Sequence, residues 1–484
     1  MKKVNHLLLG FSFLVLSASL FAQETENTGI EEIIVTARQQ AESLQDVPVT
    51  VSVMSEMDLD RYNITSLTDA AKMVPNFRIN PGGSGNGSNI YLRGIGSSSI
   101  SAAFDQSVAI NIDGVVVNRG RFIHNAYLDM SQIEVLKGPQ SLYFGKSATA
   151  GVISIKTNDP TDEFEAEFGV GVETEHETTF FEGVISGPIS DNLLARFAFG
   201  TSETDELREN YSFGNDPMPY GNGTKPYFGE ESTNARLTLL WTPTETLTAK
   251  LKYQYSKYEN DGGGTMYQEE WCADGIGNPL AHQTTGVPGA TAAFTTRLGV
   301  DDCVINGNTS KINLEPGLRA GLPYGFDNGE PGLDQETDMI SLQVDWDIND
   351  NLNLTSITSI VELDHVELDD YSYGAGVYGG LHRNVYEHTS QEFRLSSDYD
   401  GAFNFQAGVF VQEIEQRFDA HQYAFNLPIT PNIFGPALAF FGAFDPTSPL
   451  VGPDPATGNA YDYNKDHYLD TDVRSASIAI YVDV

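Results

Sequence analysis

The chain of 484 residues carries 27 Lys or Arg residues against 67 Asp or Glu residues, a formal net charge of −40 at pH 7. Such an acidic surface repels phosphate backbones, so we expect no nucleic-acid partner. Hydrophobic residues make up 40% of the chain and charged residues only 19%, which excludes an intrinsically disordered protein. A polytopic helical membrane protein would need several apolar runs of about 20 residues, and only the N-terminus approaches such a run.

The N-terminus has the composition of a secretory signal peptide. Two lysines precede an apolar stretch from Leu7 to Phe21, and a polar, acidic segment follows Ala22. A basic start, a short apolar run and a small residue before a polar segment are typical of an exported chain. We therefore expect residues 1–22 to be cleaved off, with an uncleaved membrane anchor as the alternative.

Residues 23–45 are mostly polar but contain one short segment suited to a β-strand, EEIIVTA from Glu31 to Ala37. An isolated segment of this kind either donates a strand to a binding partner or forms the first strand of the following domain. The residues alone leave both interpretations open.

Residues 46–158 combine helical and strand patterns. Alternation predicts strands at Val49–Val53, Val108–Ile112 and Ile133–Leu136, and helical spacing predicts a helix over Thr65–Met73. This mixture predicts one compact α+β domain of ordinary size.

Between residues 163 and 484, apolar and polar residues alternate in about ten segments. In one of them, Leu251 and Tyr253 lie on the apolar face, and Lys250 and Lys252 lie on the polar face. Because a period of two places successive side chains on opposite faces of a strand, we predict about ten antiparallel strands. A soluble β-sandwich would show the same alternation.

The connections between these segments distinguish the two architectures. Short turns such as Asn349–Asn351 alternate with long connections such as 261–335 and 419–472. Short turns on one rim and long loops on the other are typical of an outer-membrane barrel. Trp241 and Trp346 fall on apolar faces near short turns, where an interfacial aromatic girdle is expected. We therefore predict a mainly β protein in which a transmembrane antiparallel β-barrel follows the α+β domain.

The chain contains two cysteines, Cys272 and Cys303, within one stretch rich in Gly, Pro and Asp. In an exported chain this arrangement favours a single disulfide that closes a loop. Two free thiols are the alternative. No further Cys or His lies at the short spacing that a metal site requires, so we predict no metal site.

Three motifs occur in order within the α+β domain. They are LRGIG at Leu92–Gly96, IDG at Ile112–Gly114, and QIEVLKGPQSLYFGKSATAGVISIKT at Gln132–Thr157. Together they resemble the plug domain of the TonB-dependent outer-membrane receptors, of the siderophore-receptor type. The resemblance implies a plug seated inside a barrel of about 22 strands. Because residues 163–484 hold about ten strands, we expect the sequence to be a C-terminally truncated part of such a receptor.

The resemblance also identifies the isolated β-prone segment as a TonB box, formed by Glu31, Glu32, Ile33, Ile34, Val35, Thr36 and Ala37. It implies active transport of a scarce nutrient across the outer membrane, a ferric siderophore first, with carbohydrate or cobalamin-type uptake as alternatives. The implied partners are TonB with the inner-membrane energising complex, outer-membrane lipid, and a small-molecule ligand such as a siderophore or an oligosaccharide. Neither a catalytic step nor a cofactor is implied.

In this family, basic residues of the plug are thought to pair with acidic residues of the barrel. The matching positions here are Arg93 and Lys137 in the plug motifs and Glu392 and Asp483 on the polar face of the strands. Lysine lacks the bidentate fork of arginine, so a latch through Lys137 is expected to be weaker. The alternative is that the two acids are ordinary hydrated residues of the lumen.

The ligand site is expected in the long connection 419–472, which is rich in aromatic residues. Its candidate ligand-binding residues are Tyr423, Phe434, Phe440 and Tyr461. Aromatic rings of this kind stack on sugars or on the aromatic groups of a siderophore. Packing of the loop against itself is the alternative.

Three other classes of protein fit the sequence less well than a receptor does. A passive porin would lack the α+β domain with its ordered motifs. A secreted β-sandwich adhesin or glycan-binding protein would not sort its loops by rim. An outer-membrane enzyme is disfavoured because neither GxSxG nor HExxH occurs in the sequence.

Overall fold

The computed structural model describes most of the predicted plug and of the strands that follow it. Within the described residues the chain forms twenty strands, three short α-helices and one 3₁₀ turn, so the prediction of a mainly β fold is confirmed. The described residues are 34–35, 42–45, 47–80, 88–97, 105–124, 127–144, 147–205, 229–261, 324–326, 330–370, 378–401, 403–424 and 469–483.

The plug contains the first ten strands, arranged in one five-stranded sheet and two small sheets. These strands are β1 (Ile34–Val35), β2 (Glu42–Ser43), β3 (Thr50–Ser55), β4 (Phe77–Asn80), β5 (Asn89–Leu92), β6 (Ile95–Gly96), β7 (Val108–Ile112), β8 (Val115–Val117), β9 (Met130–Lys137) and β10 (Gly151–Thr157). The large sheet has the order β3-β9-β10-β7-β8. Strands β7 and β10 run parallel, and β9 runs antiparallel to β10. The sequences VAINI in β7 and GVISI in β10 are buried throughout, and their polar residues satisfy each other, since Asn111 Nδ2 donates a hydrogen bond to Ser154 Oγ at 3.1 Å.

The helices of the plug are short and are α1 (Glu56–Arg61), α2 (Leu67–Met73) and α3 (Ser141–Phe144), with the 3₁₀ turn at Arg121–His124. A capping box starts α1 directly after β3. Ser55 Oγ accepts a hydrogen bond from Asp58 N at 3.3 Å, and Ser55 N donates to Asp58 Oδ2 at 3.1 Å. Such a cap stabilises a helix start by about 1 kcal/mol.

The large plug sheet has a hydrophobic core on each face. On one face, residues such as Ile133 and Ile153 pack with α2 and with side chains from the following strands, among them Met339 and Tyr386. On the other face lies a smaller core, to which β1 and α3 contribute. Its buried members are Val35, Ala109, Leu136, Phe144, Ala148 and Val152.

The remaining ten strands form one antiparallel sheet in chain order, here called the wall. Within the described residues its edge strands are the first and the last. This confirms the prediction of about ten antiparallel strands after the plug. The strands are β11 (Glu165–Glu173), β12 (Thr178–Ser190), β13 (Leu193–Thr204), β14 (Glu230–Thr244), β15 (Leu247–Asp261), β16 (Gly332–Asn349), β17 (Leu352–Asp370), β18 (Tyr378–Ser397), β19 (Gln406–Ala424) and β20 (Leu469–Asp483).

The two faces of the wall differ in chemistry. On the outer face, Leu342 and Trp346 are 41% and 46% exposed. On the inner face, Lys252 and Gln254 are buried, and side chains of the wall complete the plug core. An exposed apolar outer face with a globular domain against the inner face excludes the soluble β-sandwich.

The described turns confirm the sorting of the connections. Only two residues separate β12 from β13, β14 from β15, and β16 from β17. The connections at the opposite rim include 206–228, 262–323 and 425–468, which lie outside the described residues. Within the described ranges, none of the helices combines the length and the hydropathy that crossing a bilayer requires.

Candidate functional site

The first described residues, Ile34 and Val35, lie in the predicted TonB box and pair as β1 with Ser43 and Glu42 of β2. Val35 is fully buried in the smaller plug core, whereas Ile34 is 45% exposed. Gln132 Nε2 of β9 donates a hydrogen bond to Ile34 O at 3.1 Å. The segment is therefore docked on the plug sheet. The other five residues of the predicted box lie outside the described residues.

Asp129, which directly precedes β9, makes the densest set of polar contacts between plug and wall. Arg196 of β13 donates two hydrogen bonds to its carboxylate, from Nε to Oδ2 at 2.8 Å and from Nη2 to Oδ1 at 2.6 Å. Arg236 Nη2 of β14 donates to Oδ2 at 3.1 Å, and Asn158 Nδ2 donates to Oδ1 at 3.0 Å. A fork of this geometry is the strongest form of an ion pair.

Arg236 also holds the backbone at this point. Its Nη2 donates to Leu128 O at 2.6 Å and to Asp129 O at 2.9 Å. Asp129 has a φ of 54°, a left-handed conformation that is uncommon for a residue with a Cβ. The three side chains of the ion pairs are at most 8% exposed, so the whole arrangement is shielded from water.

A second contact of the same kind lies beside the first. Lys252 Nζ of β15 is 3.1 Å from Asp113 Oδ1 and donates to Thr157 Oγ1 at 2.8 Å. Thr157 in turn donates to both oxygens of Asp113, from its backbone N at 3.0 Å and from its hydroxyl at 2.7 Å. Asp159, just after β10, is 2.5 Å from Lys250 Nζ and 3.5 Å from Lys252 Nζ.

The pKa values of these carboxyls follow from the contacts. Burial alone would raise the pKa of Asp129, but the hydrogen bond from Arg196 and the charge of Arg236 outweigh burial and lower it. Burial likewise opposes a lowered pKa at Asp113, where the charges of Lys252 and Arg236 prevail. Both groups are therefore ionised at neutral pH, as an ion pair requires.

A third contact joins the 3₁₀ turn of the plug to β16 and β17. Arg121 Nη1 donates to His365 Nε2, His365 Nδ1 bonds to Gln335 Oε1 at 3.1 Å, and Gln335 Nε2 donates to Arg121 O at 3.3 Å. This ring of hydrogen bonds requires His365 to carry its proton on Nδ1. Glu367 Oε2 lies 3.8 Å from Arg121 Nη1, and neither side chain is more than 3% exposed.

Tyr386 of β18 extends this third contact. Its ring packs edge-on against Phe122 at a centroid distance of 5.6 Å, and the Arg119 guanidinium lies 5.7 Å from its centroid. Its hydroxyl donates to Asn118 Oδ1 at 3.3 Å. Residues 118–122 of the plug are thereby joined to three wall strands.

The four residues predicted to form a latch occupy different surroundings. Lys137 Nζ donates to Pro75 O at 3.0 Å, and burial together with the charge of Arg93 lowers the pKa of Lys137. Arg93 itself has a φ of 51°. Glu392 accepts a hydrogen bond from Arg394 of its own strand at 3.2 Å. Asp483 is paired with Gln406 through the backbone register, and a latch through these residues stays a prediction.

Most of the remaining predicted residues lie outside the described ranges. These include Cys272 and Cys303, so the disulfide stays a prediction, and Phe434, Phe440 and Tyr461 of the predicted ligand site. Tyr423 is described only through its backbone pairing with Gly379. Among the described residues, no group of three or more His, Cys, Asp or Glu side chains is arranged to hold a metal ion.

No local sequence pattern marks Asp113, Asp129 and Arg121 as plug residues in contact with the wall. A signal was present in the wall, because Lys250 and Lys252 fall on the polar face of a strand in a chain with few bases. A base that faces inward in so acidic a protein requires a carboxylate partner. The alternation does not show which plug carboxylate provides it.

Comparison with known proteins identifies the plug directly. Residues 43–152 match the TonB-dependent Receptor Plug Domain family. Over 215 residues, the chain is 29% identical to the iron-regulated outer membrane virulence protein of Vibrio cholerae. This alignment covers 42% of this chain and 32% of that protein. It is 30% identical over 201 residues to a vitamin B12 transporter of Vibrio vulnificus, covering 40% of this chain and 30% of that one.

The wall is similar in fold to solved structures. The outer-membrane ferripyoverdine receptor of Pseudomonas aeruginosa superimposes with a TM-score of 0.60 at 12% identity, over 94% of this chain and 52% of that one. The chain thus spans about a third of the length of the curated relatives and about half of this structure. The outer-membrane location expected from the sequence is confirmed by these relatives. The chain therefore contains a plug domain of the TonB-dependent receptor family, seated against a wall that has the fold of this outer-membrane receptor.

Proposed function

We propose that this protein takes up a ferric siderophore across the outer membrane by TonB-dependent active transport. The observation that carries the proposal is the position of the plug, whose core includes wall residues such as Met339, Val361 and Tyr386. A plug that shares its core with the wall cannot leave by thermal motion alone, because separation would expose buried apolar side chains to water. Passage of a large ligand therefore requires work, as in an energised receptor and unlike in a porin.

The site of that work is the N-terminal strand. Within the described residues β1 pairs through Ile34 and Val35, and a strand of two paired residues is withdrawn at small cost compared with the longer plug strands. Once released, an extended segment of this kind adds as a strand to the edge of a partner sheet, mainly through backbone hydrogen bonds. In the proposed mechanism TonB is that partner. Force applied to Val35 then acts on β9, against which β1 is docked.

The names of the relatives support iron as the cargo. The Vibrio cholerae relative is iron-regulated, and the Pseudomonas aeruginosa structure is bound to ferripyoverdine. A second candidate, a corrinoid such as vitamin B12, is favoured by the 30% identity to the Vibrio vulnificus transporter. Both are large, scarce ligands, and the same mechanism serves either one.

Growth assays separate these candidates. A strain that lacks its own siderophore receptors is given this gene and is grown under iron limitation on single ferric siderophores, with TonB present or deleted. Growth that requires both the gene and TonB is the expected result. A parallel culture whose growth depends on added vitamin B12 tests the second candidate. Growth that is independent of TonB in both cultures would refute active uptake.

A further inference from the structure

Three carboxylates lie together at one end of the large plug sheet, where its strands begin or end. Asp113 follows the end of β7, Asp159 follows the end of β10, and Asp129 precedes the start of β9. Because β9 runs antiparallel to the other two strands, these positions all lie at the same end of the sheet. We call Asp113, Asp129 and Asp159 the acidic edge.

The wall presents four basic side chains to the acidic edge. Arg196, Arg236, Lys250 and Lys252, here called the basic socket, lie on three adjacent strands and face inward. The pairing register places Arg196 opposite Thr238, and Thr238 opposite Lys252, so the bases stand at one level of the wall. In a chain with 27 bases against 67 acids, a group of four on neighbouring strands concentrates positive charge at one place.

We propose that the acidic edge and the basic socket form the main electrostatic attachment of the plug to the wall, with Asp129 as its positioning residue. Here the plug supplies the acids and the wall supplies the bases, whereas in the predicted latch the plug supplies the bases. Asp129 fits the role because four donors hold its carboxylate and Arg236 also binds two carbonyl oxygens at that point. The attachment does not depend on the identity of the ligand.

Burial gives this attachment its strength and its specificity. An ion pair at the surface contributes little because water and salt screen it. Asp129 and Arg236 are 4% and 3% exposed, so separating one from the other leaves a charge in a site that water reaches poorly. Removing one partner of such a pair is strongly destabilising. Displacement of the plug from this edge therefore requires the carboxylates of Asp113 and Asp129, which are 15% and 4% exposed, to be rehydrated together.

The test measures how firmly the plug is held, without ligand or TonB. The protein is purified from outer membranes in detergent, and urea is raised until the plug opens, that is, until it becomes sensitive to added protease. The variants are Asp129→Asn, Arg196→Gln and the two combined. Asp60→Asn on α1 is the control, because Asp60 is exposed. The expected result is that each single variant opens at a urea concentration lower by about 1 M or more, and the control opens with the parent.

The combined variant tests the pairing itself. If Asp129 and Arg196 stabilise the plug through their contact with each other, the second substitution removes nothing further. The double variant then opens at nearly the same urea concentration as the less stable of the two single variants. Because the pair is buried, addition of 1 M NaCl should leave the difference in opening concentration between the parent and the double variant nearly unchanged. Opening of Asp129→Asn together with Asp60→Asn, or strictly additive shifts, would overturn the proposal. Since no transport is measured, loss of the uptake function would leave this result interpretable.

Discussion

Asp129 of the plug and Arg196 of the wall form a bidentate ion pair, with N–O distances of 2.8 and 2.6 Å. They are 67 residues apart in the chain and belong to different parts of the fold. Their contact ties the start of β9, the strand against which the N-terminal segment docks, to the wall. Strand β9 is thus attached to the wall just before its first residue, and its Gln132 contacts Ile34 of the segment predicted to be a TonB box.

The acidic edge predicts how plug retention depends on low pH. The pKa values of Asp113 and Asp129 are lowered below the ordinary value of 3.8. Groups of this kind stabilise the folded state fully above pH 3.8 and lose that contribution as the pH falls through their lowered pKa values. The urea concentration at which the plug opens should therefore decrease once the pH is lowered below 3.8. In the combined variant Asp113→Asn and Asp129→Asn, this part of the decrease should be absent, and an unchanged decrease would contradict it.

Protonation of His124 is expected to destabilise the plug separately, at higher pH than the carboxylates do. Its ring stacks on Tyr258 of the wall at a centroid distance of 4.4 Å, and burial together with the charge of Arg121 lowers its pKa from 6.5 to about 4. The unfolded plug therefore binds a proton before the folded one does, so stability falls as the pH drops from 6.5 towards 4. His124→Phe keeps the stacked ring and should reduce this loss. Urea-induced opening at pH 7 and at pH 4.5 measures it, and equal losses in both proteins would argue against the assignment.

Gly120 should not tolerate a side chain. A Cβ at this position would lie 1.9 Å from Ser88 O, which is backbone and cannot move aside as a flexible side chain can. Gly120→Ala should displace the neighbouring Arg121 and destabilise the plug by about 3 kcal/mol. Gly401→Ala is the control, because the nearest atom to its Cβ would be 4.0 Å away. Chemical denaturation followed by proteolysis of the plug compares the two, and equal stability would show that the segment adjusts freely.

Two substitutions at Val35 should separate the role of its backbone from the role of its side chain in transport. Val35→Pro removes a backbone donor from a segment proposed to pair with TonB, so transport should be abolished while ligand binding is retained. Val35→Ala keeps the donor and loses only apolar contacts, worth about 2 kcal/mol, so transport should persist. Uptake and ligand binding are measured on the same cells. Loss of ligand binding in Val35→Pro would show damage to the plug instead.

The strand pattern could be predicted because it follows from local residues. Strand β7 occupies Val108–Ile112 as predicted, since β-branched Val108, Ile110 and Ile112 recur at every second residue. β17 extends to Asp370, beyond the predicted end at residue 365, because its backbone pairing with β18 continues past the charged residues Glu362 and Asp364. Hydrophobicity marks the part of a strand that faces an apolar environment and does not mark its end.

The contacts between plug and wall could not be predicted from local patterns. Arg121 meets His365, and Asp129 meets Arg236, across separations of 244 and 107 residues. Such pairs depend on the rotation of the plug relative to the wall, and period-two alternation gives only the face on which a residue lies. The resemblance predicted bases on the plug and acids on the wall, whereas the contact at Asp129 has the opposite charge sense.

Uptake of radioactive iron tests the central claim most directly. Cells that carry the protein as their only receptor are given a ferric siderophore labelled with radioactive iron, with the proton gradient intact or collapsed. We expect accumulation inside the outer membrane only when the gradient, TonB and the N-terminal strand with Val35 are all present, while binding to the cell surface persists without the gradient. Accumulation that continues at the same rate after the gradient collapses would contradict energised transport through a displaced plug.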